Sequence, residues 1–274
     1  MSEFSSDVAL KAARSAADAA ASSLMVNFGR RDSLNTWMKS PGALVTDADL
    51  AADRAVAESL AGTGLDAAVL SEESSSGDAS GELTWLVDPL CGTVPYRSGM
   101  PHWGVNIALR KGAELAASVV ALPALGKTLA ASAGRGVTLN GEPFSGADPG
   151  LPLHEATVGL EVDGGAEWLR LLGTGSTENS QLRWPGSVSH TNTFASAAYP
   201  IAQVCMGGMS GVVFYKIDSM HFAAGALIAR ELGAIVSDEN GNPLDWRSTD
   251  SYPVALVAWP SIHAALLDAM HGSR

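Results

Sequence analysis

The segment WLVDPLCGT, residues 85–93, constrains this chain more than any other stretch. Thr84 to Val87 make a short apolar run with β-branched and aromatic members, the pattern of a buried strand. Asp88, Cys91 and Thr93 then leave that strand through a turn marked by Pro89 and Gly92. A second run, Ala67 to Leu70, leads directly into Glu72 and Glu73. Acidic groups, a thiol and a hydroxyl are therefore delivered to the ends of buried strands.

Other periodicities surround these strands. Residues 5–29 carry Val8, Ala12, Ala16, Ala19, Leu24 and Val26 at mixed spacings of three and four, which predicts a surface helix stopped by Gly29. A second helix is expected from Thr46 to Gly62, with Ala48, Leu50, Ala51, Ala55, Val56 and Leu60 on one face and Asp47 and Asp49 in its first turn. The runs 104–109, 116–122 and 127–132 predict an antiparallel meander, and Asn140 followed by Gly141 predicts a hairpin. Beyond about residue 150, strands at 155–161 and 210–215 alternate with helices at 165–172, 194–206 and 221–232. The fold class expected is α/β, an α+β half (residues 1–148) followed by an α/β half (149–274), with the seam in the Gly- and Pro-rich stretch 145–153.

Composition narrows the function. A chain of 274 residues, 46% hydrophobic and 17% charged, has enough apolar material for one large domain or two modest ones, which excludes intrinsic disorder. Its 17 Lys and Arg against 29 Asp and Glu give a net charge of -12, which repels polyanions, so neither nucleic acid nor a membrane surface is an expected partner. No apolar stretch approaches the roughly 20 residues that cross a bilayer. The two cysteines form no disulfide framework and residues 1–20 lack the pattern of a signal peptide, so a cytoplasmic protein is expected.

Chemistry concentrates in VTDAD (45–49), SEES (71–74), the 85–93 segment and the stretch 216–233, where His221 begins a helix of small residues. Each has a plain structural reading. Asp47 or Asp49 caps a helix, Glu72 and Glu73 are solvated, Cys91 is an inert buried thiol and His221 a satisfied helix-start histidine. Their combination argues otherwise.

In order along the chain, VTDAD, SEES, WLVDPLCGT, GVTLNGEPF and MHFAAGALIARELGAIVSDENG resemble the motifs VTxAD, GEES, WxxDPIDGT, GAxxNGxPI and WDxAAGxxIxxEAGGxxxDxxG of the inositol monophosphatase superfamily, metal-dependent phosphatases. The resemblance implies a layered αβαβα sandwich, a small-molecule substrate and a homodimer. Position by position, Asp49 and Thr93 match the groups that orient an attacking water. Glu72 and Asp88 match metal-binding carboxylates, and the Leu90 carbonyl matches a further ligand.

Two departures fall at the centre of that pattern. Cys91 stands where it has the second Asp of DPIDGT, and His221 where it has the Asp of WD. Magnesium prefers oxygen donors in an octahedral array, whereas carboxylates with a thiolate and an imidazole suit zinc. The expected metal donors are therefore Glu72, Asp88, Cys91 and His221 holding Zn²⁺, with Mg²⁺ or Mn²⁺ as the alternative. Asn192 occupies the place of an Arg and Phe214 that of a substrate-binding Glu. Gly92, Val94, Tyr96, Arg97, Asn192 and Phe214 are the expected substrate-binding residues, with His102, Trp103 and Tyr215 as further wall candidates.

The first functional expectation is a zinc-dependent hydrolase that cleaves an amide, ester or lactam of a small molecule, with Asp49, Thr93 and Glu72 as catalytic residues and Glu72 either ligand or base. The alternatives are a Mg²⁺-dependent phosphomonoesterase acting on a sugar, inositol or nucleotide phosphate, a metal-free hydrolase using Cys91 and His221, and a non-catalytic binding protein.

Overall fold

The computed structural model describes residues 5–40, 43–162, 167, 171, 182, 184–247 and 251–272. Helix α1 (Ser6–Asn27) leads to a hairpin of β1 (Thr36–Ser40) and β2 (Ala43–Thr46) and then to α2 (Asp47–Ala61). There follow β3 (Ala68–Ser71), β4 (Ser75–Ser76), β5 (Leu83–Cys91), the short α3 (Thr93–Arg97), β6 (Gly104–Lys111), β7 (Glu114–Leu122), β8 (Lys127–Ser132), β9 (Val137–Leu139) and β10 (Glu142–Phe144). These strands form one sheet in the order β10-β9-β8-β7-β6-β5-β3-β4, antiparallel except for the parallel pair β3 and β5. The later residues supply β11 (Thr157–Val162), β12 (His190–Asn192), α4 (Ala198–Cys205), β13 (Gly211–Ile217), α5 (Ser219–Glu231), β14 (Ile235–Ser237), β15 (Tyr252–Ala258) and α6 (Pro260–His271). Their sheet runs β12-β11-β13-β15-β14.

Three hydrophobic cores stack these elements into five layers. Outward residues of the large sheet, such as Trp85, Val87, Val105, Ile107 and Leu109, bury against the alanine faces of α1 and α2. Leu86, Ala108 and Val120 face the other way and share a core with α4, α5 and the inner face of the small sheet. Val158, Val213 and Leu256 pack with Ile262 and Leu266 of α6 on the far side. The result is the αβαβα sandwich, and period-2 alternation along each strand assigns its side chains to one core or the next.

Most expected elements are present within a few residues. Asn140 and Gly141, with φ of 53° and 88°, turn the chain between β9 and β10 as the dipeptide predicts. In α1 the buried stripe is Ala9, Ala12, Ala13, Ala16, Ala17, Ala20 and Leu24, whereas Val8 and Val26 are exposed. The small residues let α2 approach closely, so steric fit rather than hydrophobicity selects that face. The helix expected from 194 begins only at Ala198, because Ala195 takes a left-handed φ of 53°. The hairpin of β1 and β2 lies in a stretch whose polarity conceals it. The helix expected at 165–172 falls, apart from 167 and 171, outside the described residues.

Gly104 lets α4 sit against the large sheet. A Cβ there would lie 2.6 Å from the Ala121 carbonyl oxygen and 2.9 Å from Ala198 Cβ. Since a backbone carbonyl in a central strand cannot swing aside, Gly104→Ala is expected to destabilise the fold by about 1–3 kcal/mol, read as a lower urea midpoint with an unchanged slope.

Candidate active site

Pro89 starts the construction. Proline has no N–H for the ladder with β6, and the pairing shifts register between Asp88, opposite Asn106, and Cys91, opposite Gly104. The irregularity resets the alternation. Leu86 and Cys91 both belong to the inner core, while Val87 and Leu90 pack outward. Gly92, with φ of 104°, then turns the chain into α3 and carries Thr93 to the cleft.

From the neighbouring strand, Glu72 follows β3, with its N–H donating to the Val87 carbonyl at 3.1 Å. Ser71 Oγ donates to Asp53 Oδ1 at 2.6 Å and ties this turn to α2. His221 arrives from across the inner layer on the first turn of α5, and Asn106 Nδ2 donates to its carbonyl at 2.7 Å. The consequence is a group in which Glu72, Asp88 and His221 each bring a ligand atom within 4.8 Å of the others. His221 Nδ1 lies 2.7 Å from Asp88 Oδ2. Asp88 Oδ1 is buried and has no hydrogen-bond partner among the described residues.

The acids repel one another. Burial, then the Asp88 charge, push Glu72 up to about 8, with His221 and Lys39 offsetting part of the shift. Lys39 on β1 reaches across to Glu73 and, at 3.5 Å, to Glu72 Oε1. Burial works against its ammonium, but the two carboxylates outweigh that and raise its pKa. A buried carboxylate oxygen left unpaired, beside a second carboxyl group and an imidazole, has the donor chemistry of a divalent-cation site.

Beside this group stands a second pair. Asp49, 1% exposed, accepts the Thr93 hydroxyl at 2.7 Å through Oδ1 and the Thr46 N–H and hydroxyl at 2.8 and 2.6 Å through Oδ2. Asp49 thus caps α2 and holds Thr93 at once, so the structural and the functional readings of this acid are both present. Burial raises its pKa, and the Thr46 and Thr93 hydroxyls offset part of that.

Cys91, expected as a metal donor, stands outside the group. Its Sγ instead accepts the Ala197 and Ala198 N–H groups at 3.1 and 3.2 Å, and its carbonyl accepts from Ser196 Oγ at 2.9 Å. Burial, then the Asp88 charge, push this thiol well above its usual range. Cys91 is thus not among the three residues whose ligand atoms all lie within 4.8 Å of one another.

A cleft of about 410 Å³ covers these residues. Gly92, Val94, Phe214 and Tyr215 line it, as does Leu90. Three other substrate-binding expectations are corrected. Tyr96 turns away into the outer core, where its hydroxyl donates to the Leu24 carbonyl at 2.7 Å and its ring meets Trp103 edge-on. Arg97 is exposed on α3 and Asn192 on the edge strand β12, and neither lines the cleft. His102 stacks with Phe194 and Tyr199 outside the lining.

The comparisons with known proteins come to the same place. The pattern of the inositol monophosphatase family matches residues 5–273, and the chain belongs to that family. It is 28% identical over 247 residues to Nus factor SuhB of Pasteurella multocida, covering 86% of this chain and 85% of that protein. A Streptomyces griseus protein named glucose-1-phosphate thymidylyltransferase is 32% identical over 221 residues, 76% of this chain and 78% of that one. The crystal structure of the suhB protein of Bartonella henselae superposes with a TM-score of 0.81 at 24% identity, covering 96% of this chain and 97% of that one, which is a likeness of fold.

Sequence reasoning missed Lys39, Glu161 and the 195–197 loop, all of which line the cleft. Lys39 sits in a polar stretch without periodicity, and Glu161 lies inside an apolar strand. An acid in a run of strand formers is the one signal that singles out Glu161.

Two measurements test this geometry. Buried thiols with raised pKa predict that neither Cys91 nor Cys205 is alkylated by iodoacetamide in the native protein at pH 8, while both react after unfolding, as read by mass spectrometry. Glu72 and Glu161, both pushed from 4.5 to about 8, hold their protons in the folded chain at pH values where the unfolded chain has released them. Their contribution is therefore full below about 4.5 and is lost as pH rises toward 8, so the metal-free protein should melt lower at pH 8 than at pH 5. A melting temperature that rises over this interval contradicts the assignment.

Proposed function

We propose that this protein is a divalent-metal-dependent phosphomonoesterase acting on a small molecule. The observation that carries the reading is that one cleft is lined by the Glu72, Asp88 and His221 group, whose Asp88 Oδ1 has no hydrogen-bond partner among the described residues, and by Thr93, which Asp49 holds from behind. Family membership supports the same reaction class. The zinc amidase expected from a four-donor set has less support, because the donor group comprises Glu72, Asp88 and His221 without Cys91.

Glu72, Asp88, His221 and the Leu90 carbonyl would hold Mg²⁺ or Mn²⁺. His221 meets Asp88 through Nδ1, so this nitrogen is the ring atom beside the Asp88 carboxylate. A bound divalent cation would draw charge from the phosphate and make a water easier to deprotonate. Thr93, whose hydroxyl proton goes to Asp49, has its oxygen lone pairs left to accept from an attacking water. Asp49, with its pKa raised by burial, takes up the proton that this water gives up. The main-chain N–H groups that follow Gly92 would receive phosphate oxygens. Lys39, pairing with Glu72 and Glu73, limits the repulsion between those acids and an incoming phosphate. A homodimer, as the family resemblance implies, completes the reading.

Phosphate release from p-nitrophenyl phosphate should require Mg²⁺ or Mn²⁺ and stop with EDTA. Asp49→Asn and Asp88→Asn should each lower kcat/KM by about 10²–10⁴-fold. Full activity in the chelated protein, or in Asp88→Asn, overturns the proposal. Tightly held zinc at one per chain with no phosphate release returns the question to amide cleavage.

A further inference from the structure

Two carboxyl groups line the cleft outside the metal-donor group, Asp218 and Glu161. Asp218 receives the Ser251 hydroxyl. Glu161 is different. It is 7% exposed near the end of β11, its Oε1 accepts the Phe194 N–H at 2.6 Å, and no basic side chain pairs with it among the described residues. The basic groups of the lining, Lys39 and His221, are engaged with Glu72, Glu73 and Asp88. In the parallel pairing of β11 and β13, Glu161 is the register partner of Phe214. The row of the small sheet where Phe214 replaces an expected acid thus still carries a carboxyl group, one strand over.

The surroundings decide what that group is suited to bind. Val162, Ala195 and Phe214 give this wall of the cleft no charge of its own. Burial pushes Glu161 up to about 8, and the backbone N–H groups of Phe194, Ser196 and Ala195 offset only part of that. A carboxyl group in such a wall is costly to ionise alone and favourable to ionise beside a cation. A hydroxyl from a ligand offers one hydrogen bond, whereas an ammonium offers a hydrogen bond and the counter-charge.

We propose that Glu161 is a specificity-determining residue that recognises an ammonium group on the leaving alcohol of the phosphomonoester. The substrate class is therefore an amino-alcohol phosphate. The proposal rests on the phosphatase reading above, with phosphate at the donor group and Thr93 and the amine at Glu161 in the same cleft.

The test uses glycerol 1-phosphate and serinol phosphate, which differ only by an ammonium in place of the central hydroxyl, on the metal-loaded full chain. The wild type should favour serinol phosphate in kcat/KM by about tenfold or more, and Glu161→Gln, which keeps a carbonyl acceptor for Phe194 while removing the charge, should bring the ratio near one. No preference in the wild type, or an unchanged ratio in Glu161→Gln, overturns the proposal. If Glu161→Gln fails to fold, the wild-type ratio decides. If neither ester nor p-nitrophenyl phosphate is hydrolysed, the phosphatase reading fails by itself. Calorimetric affinity for the same two esters then decides the Glu161 assignment, tighter binding of serinol phosphate supporting it and equal binding ending it.

Discussion

The absence of an N–H on Pro89 is the constraint on which the site depends. It breaks the β5 ladder between Asp88 and Cys91, and the register shift turns Cys91 to the inner face that Leu86 and Asp88 already share. Gly92 completes the change of direction and brings Thr93 to Asp49. Four residues of backbone irregularity therefore gather groups that a regular strand would distribute over two faces. The inner layer then supplies His221, because the small residues Ala223, Ala224, Gly225 and Ala226 let α5 lie between the sheets with its first turn over Asp88.

Charge is the second constraint. Glu72, Glu73 and Asp49 are gathered where burial disfavours each of their ionised forms. The chain answers part of this itself with Lys39 and His221. The unpaired Asp88 Oδ1 marks where that answer ends and where a cation has most to contribute. Glu161 shows the same imbalance elsewhere in the cleft lining, without a basic side chain paired to it among the described residues.

Much of this was legible in the sequence because it is local. Apolar runs ending in acids located β3 and β5, Asn140 and Gly141 located a hairpin, and Thr46 with Asp49 located a helix start that is also a site. Lys39 was not legible, since its role comes from a hairpin that swings over residues more than thirty positions away. Tyr96, Arg97 and Asn192 stand outside the cleft lining, because nearness in sequence to a motif says nothing of which layer a side chain enters.

The sequence by itself determined the family, through motifs in order along the chain, with the layered fold that this resemblance implies, and the identity of the acids at the strand ends, since these follow from residues next to one another. Only the tertiary structure decided what becomes of Cys91. The amides of Ala197 and Ala198, more than a hundred residues later, donate to its sulfur, a contact that its neighbours in sequence do not reveal. Donors compete for a side chain by distance in space, and a linear reading carries no measure of that distance.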